Sequence, residues 1–91
     1  MPTGFQLALE SCKQGLSSTA DRAGHVSPGD VWSALLDLCA QVFIKPSELP
    51  AKLRELLDEA KSRDEKSRRG ITQADYRLDT LLVNLQHAAT L

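Results

Sequence analysis

The chain has little of what usually announces chemistry. Its 91 residues include only two cysteines, one methionine and four aromatic residues (Trp32, Tyr76, Phe5 and Phe43), and no apolar run approaches the length of a membrane span. Cysteine this sparse excludes a disulfide-stapled scaffold. Glycine occurs at the isolated positions 4, 15, 24, 29 and 70, which excludes a phosphate-cradling loop. A net charge of -1 and a pI near 6.1 exclude a strongly basic nucleic-acid binder. The opening Met-Pro-Thr-Gly-Phe has no basic segment ahead of an apolar stretch, so no secretory signal is indicated and a cytoplasmic chain is expected. In such a compartment Cys12 and Cys39, both on apolar faces, act as small hydrophobes rather than as a disulfide.

What is present points to helix. Leucine and alanine supply 15 and 10 residues against 6 valines and isoleucines, a balance that favours helix over strand. With 42% hydrophobic and 25% charged residues the composition is globular, and 91 residues make one domain over 1–91, burying roughly 64% of the unfolded chain's surface. Hydroxyl side chains placed three residues before an acceptor, in Thr3 with Gln6, Ser27 with Asp30 and Thr72 with Asp75, mark helix starts. Val26 with Val31 and Ile71 with Tyr76 can add hydrophobic staples, and Ser47 is a fourth, weaker cap. Gly24, Gly70 and Pro46 mark stops. The expected helices are therefore 4–23, 28–44, 48–69 and 73–89, joined by short connections as an all-α, four-helix up-down bundle.

Helical projection separates the roles of these segments. The first carries one stripe (Phe5, Ala8, Leu9, Cys12, Leu16, Ala20, Ala23), as does the fourth (Ala74, Leu78, Leu81, Leu82, Leu85, Ala88, Ala89). From these stripes, Leu78, Leu82 and Leu85 are expected to be buried with Leu9 and Leu16. The second is apolar over about two-thirds of its circumference and is expected at the centre. In the third, Leu49, Leu53, Leu56, Leu57 and Ala60 form a stripe that gives way to Arg63, Asp64 and Ser67. Pairs at i,i+4 (Glu59 with Arg63, Asp64 with Arg68, Glu65 with Arg69) support a solvated helical extension to Gly70, a mobile loop being the rival description.

Catalysis needs a nucleophile, a base and an orienting group, and neither His25 nor His87 stands in a recognisable spacing with an acid or thiol. Cys12, His25, Cys39 and His87 contain no close ligand pair, so no metal, no cofactor and no enzymatic activity are expected. The informative feature is the doubled surface of the second helix. Val31, Leu35, Leu38 and Val42 make one ridge; Trp32, Leu36, Cys39 and Phe43 make another about 100° around. The third helix offers too narrow a stripe to cover both, so Trp32, Leu36 and Phe43, with Leu57 at the edge, are candidate protein-interface residues. Tyr76 and Val83 join them as a mixed face opposite the leucine stripe of the fourth helix. The expected function is that of a small protein-interaction module: a homodimeric adaptor, or a chaperone-like or regulatory protein. The alternative is a nucleic-acid-associated regulator using Lys61, Arg63, Lys66, Arg68, Arg69 and Arg77, although Asp64, Glu65 and Asp75 interleave with them and no base-stacking aromatic lies within the cluster.

Overall fold

The computed structural model describes residues 4–71 and 75–89, and within them the protein is mostly helical. Helix α1 (Gly4–Thr19) leads through strand β1 (His25–Val26) into α2 (Pro28–Gln41). After a 3₁₀ turn (Pro46–Glu48), α3 (Ala51–Arg68) leads through strand β2 (Tyr76–Arg77) into α4 (Leu78–Ala89). The chain thus forms two helix–strand–helix halves. The two strands pair antiparallel, His25 with Arg77 and Val26 with Tyr76, and tie the halves together. An all-α chain with a two-residue ribbon is the architecture, and α2 packs on both α1 and α3 while α1 also meets α4. Among the described residues no helix is long and apolar enough to cross a membrane.

Where the helices begin and end has local causes. Ser27 caps α2, its hydroxyl accepting from the Asp30 N–H at 3.2 Å, and Val26 and Val31 are both fully buried, as the staple requires. Helix α1 stops at Thr19 instead of reaching residue 23 because Asp21 diverts the backbone: its carboxylate accepts from the N–H groups of Ala23 and His25, each at 2.9 Å. Gly24, at φ +79, makes the turn. Helix α3 begins at Ala51 and not at 48, since the Lys45 N–H donates to the Glu48 carboxylate at 2.8 Å and closes a separate turn. Pro50 then sits at the N-cap, and Ser47 caps nothing. Helix α4 begins at Leu78 and not at 73, because residues 76–77 spend their backbone on β1 and the Leu78 N–H donates to the Gly24 carbonyl at 2.8 Å. The caps expected at Thr3 and Thr72 lie outside the described residues, as does Ala74.

The core joins Leu9, Cys12 and Leu16 of α1, Val31, Leu35, Leu38 and Cys39 of α2, Leu53, Leu57 and Ala60 of α3, and Leu81, Leu85 and Ala88 of α4. Leu85, Leu9 and Leu16 are buried together as expected, but Leu78 is only partly buried and Leu82 sits at the margin, with Leu81 in the inner position. The far end of α3 is helical to Arg68 and ends at Gly70, yet it is not wholly solvated. Asp64 keeps only 14% of its side chain exposed, and its Oδ1 lies 2.8 Å from where a Cβ on Gly29 would stand. The absence of a side chain at Gly29 lets this carboxylate approach the first turn of α2, whose N-terminal dipole favours negative charge.

Candidate interaction surface

Two helices end in the same motif with different residues. At the end of α3 the Gly70 N–H donates to the Ser67 carbonyl at 3.0 Å and the Ile71 N–H to the Lys66 carbonyl at 3.0 Å. At the end of α2 the Phe43 N–H donates to Ala40 at 3.4 Å and the Ile44 N–H to Cys39 at 3.1 Å. Both are Schellman closures, which place the residue after the cap in the left-handed region, where glycine alone is unstrained. Gly70 has φ +83. Phe43 has φ 57 and is the only non-glycine residue with positive φ among those described. A bulky residue there is a genuine outlier, and Phe43 compensates for the strain with no burial, being 95% exposed.

The second ridge of α2 leads up to this residue. Cys39 is buried, Trp32 is half-buried against the core with the Lys61 ammonium 6.0 Å from its ring centre, Leu36 is 38% exposed, and Phe43 stands free. Helix α3 therefore covers the tryptophan end of the ridge and leaves the phenylalanine end open. Leu57, expected at the edge of a contact surface, is instead spent in the protomer core. Val83 is exposed on another side of α4, beside Lys13 of α1.

Tyr76 is held in a different place, against α3 within the second half. Its hydroxyl donates to Glu59 at 2.9 Å, the Arg63 guanidinium lies 4.5 Å from its ring centre, and Arg63 pairs with Glu59 at 3.1 Å. Burial, the hydrogen bond to Glu59 and the Glu59 charge together push the Tyr76 phenol well above its ordinary range. This clasp closes one side of a cleft of about 490 Å³ between α3 and α4, floored by Leu53, Leu56 and Leu81 and rimmed by Lys52, Glu55 and Arg77. The two helices meet only lightly, which leaves the cleft open.

Most of the basic cluster is occupied within the chain. Lys61 faces Trp32, Arg63 faces Tyr76 and Glu59, Arg68 donates to Asp64 at 2.9 Å, and Arg77 pairs with Asp79 at 3.0 Å. Lys66 and Arg69 are exposed on the outer turns of α3.

The two cysteines are buried and held as neutral thiols. Burial and then the Asp37 charge push the Cys12 thiol up to about 11, and burial also raises Cys39, so neither thiol is a nucleophile at neutral pH. Both cysteines are free. The α1–β1–α2 turn has the outline of a calcium-binding helix–loop–helix, in which oxygens at alternate loop positions surround the ion near an obligatory glycine. With Gly24 as that glycine, the ligand positions fall on Thr19, Asp21, Ala23, Ser27 and Asp30. Alanine offers no side-chain oxygen, the Asp21 carboxylate is taken by two amides, and the Ser27 hydroxyl is taken by the Asp30 N–H. Hydrogen bonds close the loop where a cation would. Among the described residues no group of three or more His, Cys, Asp or Glu side chains converges on a metal position.

Compared with protein-family models, with curated proteins and with solved structures, the chain matches none.

The sequence names Phe43 as a candidate contact residue but places it inside a helix; it yields the Glu59–Arg63 pair, but neither the role of Asp21 nor the contact of Tyr76 with that pair. The Asp21-x-x-Gly24 spacing carries the signal for the first. Nothing in the local pattern indicates the Tyr76 contact, since β2 and α3 are different elements.

Proposed function

We propose that this protein works by binding protein, as a homodimer or as an adaptor, chaperone-like or regulatory subunit, and that the C-terminal end of α2 carries the contact. The supporting observation is Phe43, fully displayed and held in a backbone conformation that costs roughly 1–2 kcal/mol for a residue with a Cβ. Glycine at the same point of α3 shows how the motif is made without that cost. Aromatic side chains are enriched in interface cores, and a seated ring recovers what the protomer forgoes. Leu36, exposed about two turns back along the same ridge, extends the apolar surface toward the half-covered Trp32.

Two further parts of the reading accompany this one. The helices are arranged as an up-and-down bundle around α2, supported by its packing on both α1 and α3. The compartment is the reducing cytoplasm, supported by the two free buried thiols.

Sedimentation velocity of the full chain across a wide concentration range, alone and with candidate partner proteins, tests the proposal. Association that weakens by more than about 1 kcal/mol in Phe43→Ala, with the helical circular dichroism retained, is the expected result. Association indifferent to Phe43 and Leu36 would overturn it.

A further inference from the structure

The reading above leaves open what receives Phe43, and the chain itself contains a receptor of matching character. We propose that Phe43 of one copy seats in the α3–α4 cleft of a second copy, and that a twofold axis makes the contact reciprocal. This inference rests on the protein-binding reading and specifies its partner as this same chain.

Size, polarity and position all favour the pairing. A volume of about 490 Å³ lies within the range of roughly 300–1,000 Å³ that encloses small ligands and readily admits one phenyl ring. The floor of Leu53, Leu56 and Leu81 is apolar, with Leu56 only half-buried and so able to lose further surface to a ring. Charge on the two sides is complementary. The end of α2 carries the partial negative charge of a helix C-terminus, with Lys45 just beyond Phe43; the cleft rim offers Lys52 to the first and Glu55 to the second.

Position supports reciprocity. Only the segment 44–50, containing one 3₁₀ turn, separates Phe43 from the start of α3, and Lys52 and Leu53 at that start line the cleft. One end of the cleft therefore lies at the end of α3 to which the chain runs from Phe43, and a twofold axis would let two copies exchange projections. A single seated aromatic buries on the order of 150–250 Å², and a twofold axis doubles that contact to about 300–500 Å², the range of a weak, concentration-dependent association.

Complementation between two single variants tests this. Phe43→Ala removes the projection and leaves the cleft open; Leu56→Arg blocks the cleft and leaves the projection. Each alone should weaken self-association at least about tenfold by sedimentation equilibrium. Mixed in equal amounts they should associate more tightly than either alone, because the mixed pair keeps one of its two contacts. In addition, Phe43→Cys mixed with Leu56→Cys should form an intermolecular disulfide under mild oxidation, with Cys12 and Cys39 buried away from the reaction. Circular dichroism of Leu56→Arg checks its fold, and Thr80→Arg, on the α4 side of the cleft, serves as a second blocking variant if that fold is lost. Loss of association in Phe43→Ala but not in either blocking variant would overturn the cleft as receptor while leaving the protein-binding reading intact. A chain that stays monomeric up to about 1 mM overturns the inference outright, and a different protein partner, weakened by Phe43→Ala, would then carry the broader reading.

Discussion

Replacing Phe43 by glycine should stabilise the isolated protomer, although the change removes an aromatic residue. The left-handed backbone at φ 57 costs a residue bearing a Cβ roughly 1–2 kcal/mol. Against that gain stands the greater freedom of glycine in the unfolded chain, roughly 0.5–1 kcal/mol. Almost no burial is lost, since the side chain is 95% exposed. The balance is a stabilisation of about 0.5–1 kcal/mol, which for a domain of this size raises Tm by roughly 2–8 °C. Phe43→Ala keeps the strain and also loses no burial, so it should leave stability within about 0.5 kcal/mol of the parent. Urea titrations of the three proteins, followed by far-UV circular dichroism at a concentration low enough to keep them monomeric, make the comparison. On the proposed self-association the order should reverse at high concentration, because association would stabilise the folded parent by mass action and the glycine variant would forgo it. A glycine variant less stable than the alanine variant in dilute solution would refute the assignment of strain to this residue.

Gly70→Ala, at the equivalent point of α3, should destabilise by roughly 1 kcal/mol; with nothing within 4 Å of the added Cβ the effect is one of backbone alone, read from the urea midpoint. Leu81→Ala should cost roughly 2–5 kcal/mol and Leu82→Ala, at the margin of the core, distinctly less, read from urea midpoints. Gly29→Ala should bring little gain in the parent, since the new Cβ crowds the Asp64 carboxylate, and should become stabilising in an Asp64→Ala background, measured as a double-mutant cycle. Amide hydrogen bonds hold the Asp21 carboxyl below its usual pKa, so its contribution is present above the unfolded value and is lost as pH falls through the lower folded one. Asp21→Ala should accordingly flatten the acid limb of the stability–pH curve below about pH 4. At the alkaline end, the neutral Cys12 thiol is favoured in the fold, so stability should fall as pH rises from 9 toward about 11, and Cys12→Ala should lessen that fall.

The sequence by itself determined the helical class, the approximate extent of α2 and α3, the Ser27 cap with its Val26–Val31 staple, the turn at Gly24 and the stop at Gly70. Each depends on contacts within a few residues, so spacing and residue type suffice. It also showed that α2 carries two apolar ridges needing cover, because apolar periodicity counts the surface a helix must bury. Tertiary structure decided which part of the ridge stays open. Only the placement of α3 covers Trp32 with Lys61 and buries Leu57, and only the Schellman end of α2 turns Phe43 outward into a strained conformation. The late start of α4 has the same origin: residues 76–77 pair with a strand some fifty positions earlier in the chain, and a hydrogen bond to a distant partner overrides the helical pattern of its own segment. The Glu59–Arg63 pair is local to α3, but Tyr76 of β2 joins it only because the fold brings β2 against that helix.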